Sequence, residues 1–186
     1  VGRLLLAVED DLDTRVRLMP FGSEEIGLYG AYHYADTRDH DTIKCVVNVD
    51  GAGPSRDAKV RRTNSFDSME APFERAADRV GVPLTIDRSV SPHGDSWPFA
   101  ESGVPAVTVG SDTEGSGRGW GHTHADTLDK LDRRDLRALA VVFAESVLEL
   151  ADDDVTLERK TPDAIRDLLD ENYERELKAG GRWRFD

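Results

Sequence analysis

Glu24 and Glu25 stand side by side in Phe21-Gly-Ser-Glu-Glu-Ile-Gly, where a β-like run gives way to a helical period. Adjacent residues in a turn point in different directions. One carboxylate can therefore bind a metal ion while its neighbour meets a water on that ion. The plainer reading is that Ser23, Glu24 and Glu25 cap a helix, whose first turn favours negative charge. A second acidic position, Asp50, closes the apolar run before Gly51; Asp followed by Gly is also ordinary turn chemistry. The third segment is Gly121-His-Thr-His-Ala-Asp-Thr127. Histidine together with carboxylates is a donor set that zinc accepts, and Asp126 could orient His122 or its loop from outside the ligand set. Its plainer reading is an exposed loop histidine followed by a helix start.

These residues can act together only if the fold brings them to one place. Residues 15–21, 43–50 and 105–110 are short, rich in Val, Ile or Leu, and bounded by turn residues. They are expected to form strands of a mostly parallel central sheet. Residues 26–37 and 66–80 carry apolar positions at three- and four-residue spacing, as helices flanking the sheet would, with Gly81 and Pro83 closing the second. The fold class is α/β. In such a sheet, ligand sites form beyond the C-terminal strand ends, so Glu25 and Asp50 should meet at the same edge.

Leu136, Leu139, Val142, Phe143, Val147 and Leu150 make one apolar stripe and predict a long helix over 132–150. Thr161 and Pro162 have the chemistry of a new helix start, and that helix should run to about Leu177 as a charged, peripheral appendage. Trp183 and Phe185 are expected to dock it or to mediate association. The expected division is a catalytic-type region over 1–150 and a helical extension over 151–186.

The 186 residues carry a formal net charge of -13, spread along the chain. Dispersed carboxylates repel nucleic acid and anionic membrane, which removes both as expected partners. Such a surface also suits a salt-adapted protein, because salt screens self-repulsion. No run reaches the roughly 20 apolar residues of a membrane-crossing helix, so the chain reads as soluble, with a cytoplasmic location expected and secretion left open. Cys45 is the only cysteine and reads as a small core residue. The sequence leaves the oligomeric state open.

Taken jointly, the three segments resemble metallopeptidase family 28, the zinc aminopeptidases. The resemblance covers residues 4 to about 150 and implies a three-layer zinc-peptidase fold. It implies that Glu24 is the general base and that Glu25, Asp50 and His122 bind zinc. Asp126 would lie outside the ligand set, and Asp95 in a loop, Gly94-Asp-Ser-Trp-Pro-Phe99, similar to one the family carries near its site. It further implies two zinc ions in a complete enzyme and a peptide as substrate. Two departures stand out. A further His and a bridging Asp, upstream of the Glu pair in the family, have no counterpart before Arg15, so the N-terminal strands and helices are expected to be missing here, with one zinc or none bound and little activity. Ser96 and Gly121 stand where a His and a Tyr are usual. The alternatives are a single-zinc acyltransferase of the glutaminyl-cyclase type and a non-catalytic binding module on the same fold.

Overall fold

The computed structural model describes residues 1–113 and 119–185. Residues 114–118, in the glycine- and serine-containing stretch before Gly121, lie outside the described residues. One open four-stranded sheet is formed by β1 (Val46–Val49), β2 (Ala58–Arg62), β3 (Leu84–Ile86) and β4 (Ala106–Ser111), in the order β1-β4-β2-β3. β1 runs parallel to β4 and β2 parallel to β3, while β2 and β4 are antiparallel. Every residue of β4 is buried, as a central strand requires.

Seven α-helices accompany it among the described residues: α1 (Gly2–Leu6), α2 (Tyr29–Asp36), α3 (Glu70–Val80), α4 (Trp97–Ala100), α5 (Arg133–Ala151), α6 (Pro162–Arg166) and α7 (Glu171–Ala179). Sequence dictates their ends. The Asp132 carboxylate accepts the Arg134 N–H and starts α5, whereas Gly81, at φ 72°, closes α3 in the left-handed conformation that glycine adopts without penalty. α3 packs on α5 through Phe73, Ala76 and Ala77 on one side and Leu139, Val142 and Phe143 on the other. Arg79 pairs with Glu145 and Glu149 across their exposed edge. None of these helices is long and apolar enough to cross a membrane.

One core cluster runs through the molecule. It joins Leu28 and Tyr32 of the α2 region, Val60 of β2, Trp97 and Phe99 of α4, Val107 of β4 and Phe143 of α5. Ile165, Leu177 and Phe185 from the extension belong to the same cluster. Phe185 meets Trp97 edge-on at 6.3 Å between ring centroids.

Three local expectations are corrected. Residues 15–21 form no strand: none of the described strands supplies a ladder for them, and most of their side chains are exposed. Two strands not expected, β2 and β3, complete the sheet instead. The helix after Pro162 stops at Arg166 and restarts at Glu171, where the Asp170 carboxylate accepts the Asn172 and Tyr173 N–H groups and caps the new segment.

Candidate metal centre

Glu24 and Glu25 sit in a turn immediately before α2. Phe21 anchors the approach, its ring 5.6 Å from Tyr34 and 6.4 Å from Phe99. The Glu24 carbonyl then accepts the Gly27 and Leu28 N–H groups, and the Gly22 carbonyl accepts that of Gly30. A side chain at Gly30 would lie 2.6 Å from the Gly22 carbonyl oxygen, so the turn closes this tightly only because residue 30 has none. Ser23, at φ 63°, takes the left-handed conformation needed to aim the pair.

Asp50 follows β1 directly, its N–H donating to the Val109 carbonyl of β4 at 2.9 Å. His122 comes from a loop that Thr123 folds on itself, with Thr123 Oγ1 donating to the Trp120 carbonyl at 2.6 Å. His122 holds φ 64°, a conformation uncommon outside glycine and one that gathers at functional sites.

These segments converge. Glu24, Glu25, Asp50, His122 and Asp126 line one open pocket of about 910 Å³. Glu25 Oε1 lies 2.9 Å from His122 Nε2 although the two are far apart in sequence. Burial raises the Glu24 carboxyl above its ordinary range, and the charges of Glu25 and Asp50 add to the rise, while His122 and Arg62 oppose it. Asp95 is pushed up to about 6, first by burial and then by Glu24 and Asp50; its Oδ1 is buried without a hydrogen-bond partner. Asp95 thus belongs to the same acidic neighbourhood. His124 does not line the pocket. Ser96, in the position where a His was noted as usual, is buried and hydrogen-bonded to Thr108 Oγ1 at 2.8 Å.

One imidazole and two carboxylates are donors zinc accepts, and the Glu25–His122 approach puts two of them within reach of a shared ion. Among the described residues, however, no group of three or more His, Cys, Asp or Glu side chains stands close enough to hold one cation. The donors present fit part of a zinc site, not a complete one.

Other residues reach the same pocket that motif spacing did not indicate. Arg61 and Arg62 enter from β2, and Glu176 and Arg182 from α7 and the turn after it. Glu176 accepts from His93 Nε2 at 2.8 Å and from Arg182 at 3.2 Å. The consecutive arginines were the available signal, but two charges in a polar run read as solvated surface.

The model of peptidase family M28 matches residues 1–147. The chain belongs to that family. Among curated M28-like relatives, aminopeptidase YwaD of Bacillus subtilis (strain 168) is 26% identical over 160 residues, 80% of this chain and 34% of the relative. The chain thus spans about a third of that relative's length. A zinc aminopeptidase from Bacillus subtilis superposes with a TM-score of 0.61 at 22% identity, over 73% of this chain and 38% of that structure. The LapA aminopeptidase of Legionella pneumophila does so with 0.61 at 20% identity, over 70% and 38%. These structures share the M28 fold with the present chain. Residues 148–185, which include Glu176 and Arg182, lie beyond the matched family region.

Proposed function

We propose that this chain is the part of a zinc-dependent aminopeptidase that carries the catalytic glutamate, with the remaining metal ligands supplied by polypeptide outside these 186 residues. The observation that carries the reading is the convergence of Glu24, Glu25, Asp50 and His122, from three separate segments, on one pocket. In this reading Glu25, Asp50 and His122 hold zinc, of which the complete enzyme binds two ions. Bound zinc supplies Lewis-acid polarisation of the peptide carbonyl and makes a nucleophile available at neutral pH.

The chain's own residues do the rest. Glu24 takes a proton from the attacking water on one carboxylate oxygen and hands it to the leaving amine. The close approach of Glu25 and His122 gathers two of the proposed zinc donors at one point. The carboxylates attract the free N-terminal ammonium of a peptide. Asp95 adds to that field from behind, and Asp126 lines the wall beside His122.

The test is release of the N-terminal residue from short peptides, in the presence of zinc, by the longer polypeptide and by the 186-residue chain alone. The longer form is expected to be active and chelator-sensitive, its Glu24→Gln variant slower by at least roughly a hundredfold, and the short chain inactive or nearly so. Equal rates for the Glu24→Gln variant and the parent protein would refute the role of Glu24.

A further inference from the structure

Arg61 and Arg62 are consecutive on a strand, where neighbouring side chains ordinarily point to opposite faces. Here both line the candidate pocket, and both also line an adjoining hollow of about 270 Å³. The pairing of β2 with β4 shows why. Val60 stands opposite Val109 and Arg62 opposite Thr108, so two steps along β2 match one along β4 and Arg61 is the extra residue of a bulge. A bulge re-aims side chains that a regular ladder would separate.

Three glycines make room for the pair. A side chain at Gly110 would meet both the Asp50 carbonyl and Arg61 Cδ, so its absence lets Arg61 cross over β4. A side chain at Gly51 would collide with the Arg61 guanidinium, and one at Gly94 would stand 3.1 Å from Arg62 Nη1. Each guanidinium is then fixed to the backbone at one point: Arg61 Nη1 donates to the Asp50 carbonyl at 3.4 Å, and Arg62 Nη1 to the His93 carbonyl. A guanidinium has five N–H donors, so most remain for a ligand. Among the described residues neither arginine forms an ion pair with a carboxylate. The charges of Asp50 and Glu24 act on Arg62 without forming an ion pair with it, Asp112 stands 4.0 Å from Lys59, and Glu176 is taken by His93 and Arg182. Burial and then the like charge of Arg61 weigh against the charged form of Arg62, while Asp50, Tyr173 and Glu24 favour it; an anion between the two arginines would favour it further.

We propose that Arg61 and Arg62 form an anion-holding subsite that receives the free carboxylate of a short peptide whose N-terminal amine faces the carboxylates lining the same pocket. The inference rests on the reading of that pocket as a peptide site. It names the substrate class: dipeptides and similarly short peptides with an uncapped C-terminus. The pocket carries charges of both signs, carboxylates beside guanidiniums, as a substrate with a free amine and a free carboxylate does. A chain with a formal charge of -13 favours the cationic amide over the zwitterionic free peptide at long range, so tighter binding of the free peptide requires a local cationic feature.

The deciding experiment compares Ala-Ala with Ala-Ala-amide, first as ligands of the 186-residue chain by calorimetry and then as substrates of the zinc-loaded longer protein. Ala-Ala is expected to bind at least roughly tenfold more tightly than the amide, the scale of one charge-assisted bidentate contact. Arg61→Gln and Arg62→Gln should each shrink that ratio, and together bring it close to one. Arg62→Lys, which keeps the charge and loses the fork, should retain part of it, separating a charge effect from misfolding. Equal binding of the two peptides, no binding of Ala-Ala at millimolar concentration, or a preference that survives the double Gln variant would overturn the subsite. A binding preference that behaves as expected alongside no hydrolysis of either peptide would leave the subsite standing and sink the aminopeptidase reading. Hydrolysis with identical kcat/KM for both peptides would do the reverse.

Discussion

Arg184 Nε lies 3.8 Å from Glu101 Oε1, joining the segment after α7 to the residue that ends α4. The same guanidinium bonds the Asp36 carboxylate at the end of α2. Glu101 is only 3% exposed, and neither of its oxygens makes a hydrogen bond of normal geometry, although Tyr32 and Trp97 stand beside it. Burial pushes its carboxyl up to about 8 against the pull of Arg184, with the charge of Asp36 adding to the rise.

Stability should therefore depend on pH in a definite sense. Between 4.5, the ordinary value, and about 8, the unfolded chain releases this proton while the folded chain keeps it. The unfolded state then binds fewer protons, so the contribution of Glu101 to stability falls as pH rises through that window and levels off above it. Denaturant titrations across the window should show the decline in the parent protein and a flatter profile in Glu101→Gln. An unchanged slope in the variant would assign the effect elsewhere.

Zinc affinity is the second measurable quantity. If Glu25 and His122 are ligands, Glu25→Gln and His122→Ala should each weaken zinc binding at least roughly tenfold, read by competition with a chelating dye. His124→Ala, whose side chain does not line the pocket, should leave the affinity unchanged. A larger loss from His124→Ala than from His122→Ala would reverse the assignment.

Gly103→Ala tests the contact between the turn after α4 and the segment leading into α6. Gly103 holds φ 83°, and a side chain there would collide with the Lys160 carbonyl. The backbone strain alone costs about 1–3 kcal/mol, so a markedly lower melting temperature is expected. Gly81→Ala has a similar φ of 72° but open space around it; its smaller effect would isolate the collision.

Leu177→Ala removes a fully buried side chain of α7 and should cost about 2–5 kcal/mol. A change within a few tenths of that scale's lower end in Leu168→Ala, a position 45% exposed, is not expected; it should be near neutral. Equal effects would show that α7 contributes little to the core.

Much of the candidate site was legible in the sequence because each acidic or histidine residue sits beside punctuation: Glu24 and Glu25 between two glycines, Asp50 before Gly51, His122 after Gly121. The helices read well where caps were explicit, as at Asp132, Thr161 and Gly81. β2 was illegible. Its sequence, Ala-Lys-Val-Arg-Arg, offers two apolar residues, and the bulge breaks the alternation that would mark a strand. Residues 15–21 have the opposite character, apolar enough for a strand but without a ladder partner. The role of α7 was hidden for a third reason: Glu176 and Arg182 look like solvated charges until folding lays them against His93.

The edge-on meeting of Trp97 and Phe185 has a kinetic corollary. A nascent polypeptide presents the indole long before the benzyl ring that covers it has been synthesised, and the same holds for Asp36 awaiting Arg184. Closure of the core thus depends on loop closures between residues far apart in sequence, which are entropically slow. During translation, apolar surface on the α2 and α4 region stays bare until the distal segment emerges.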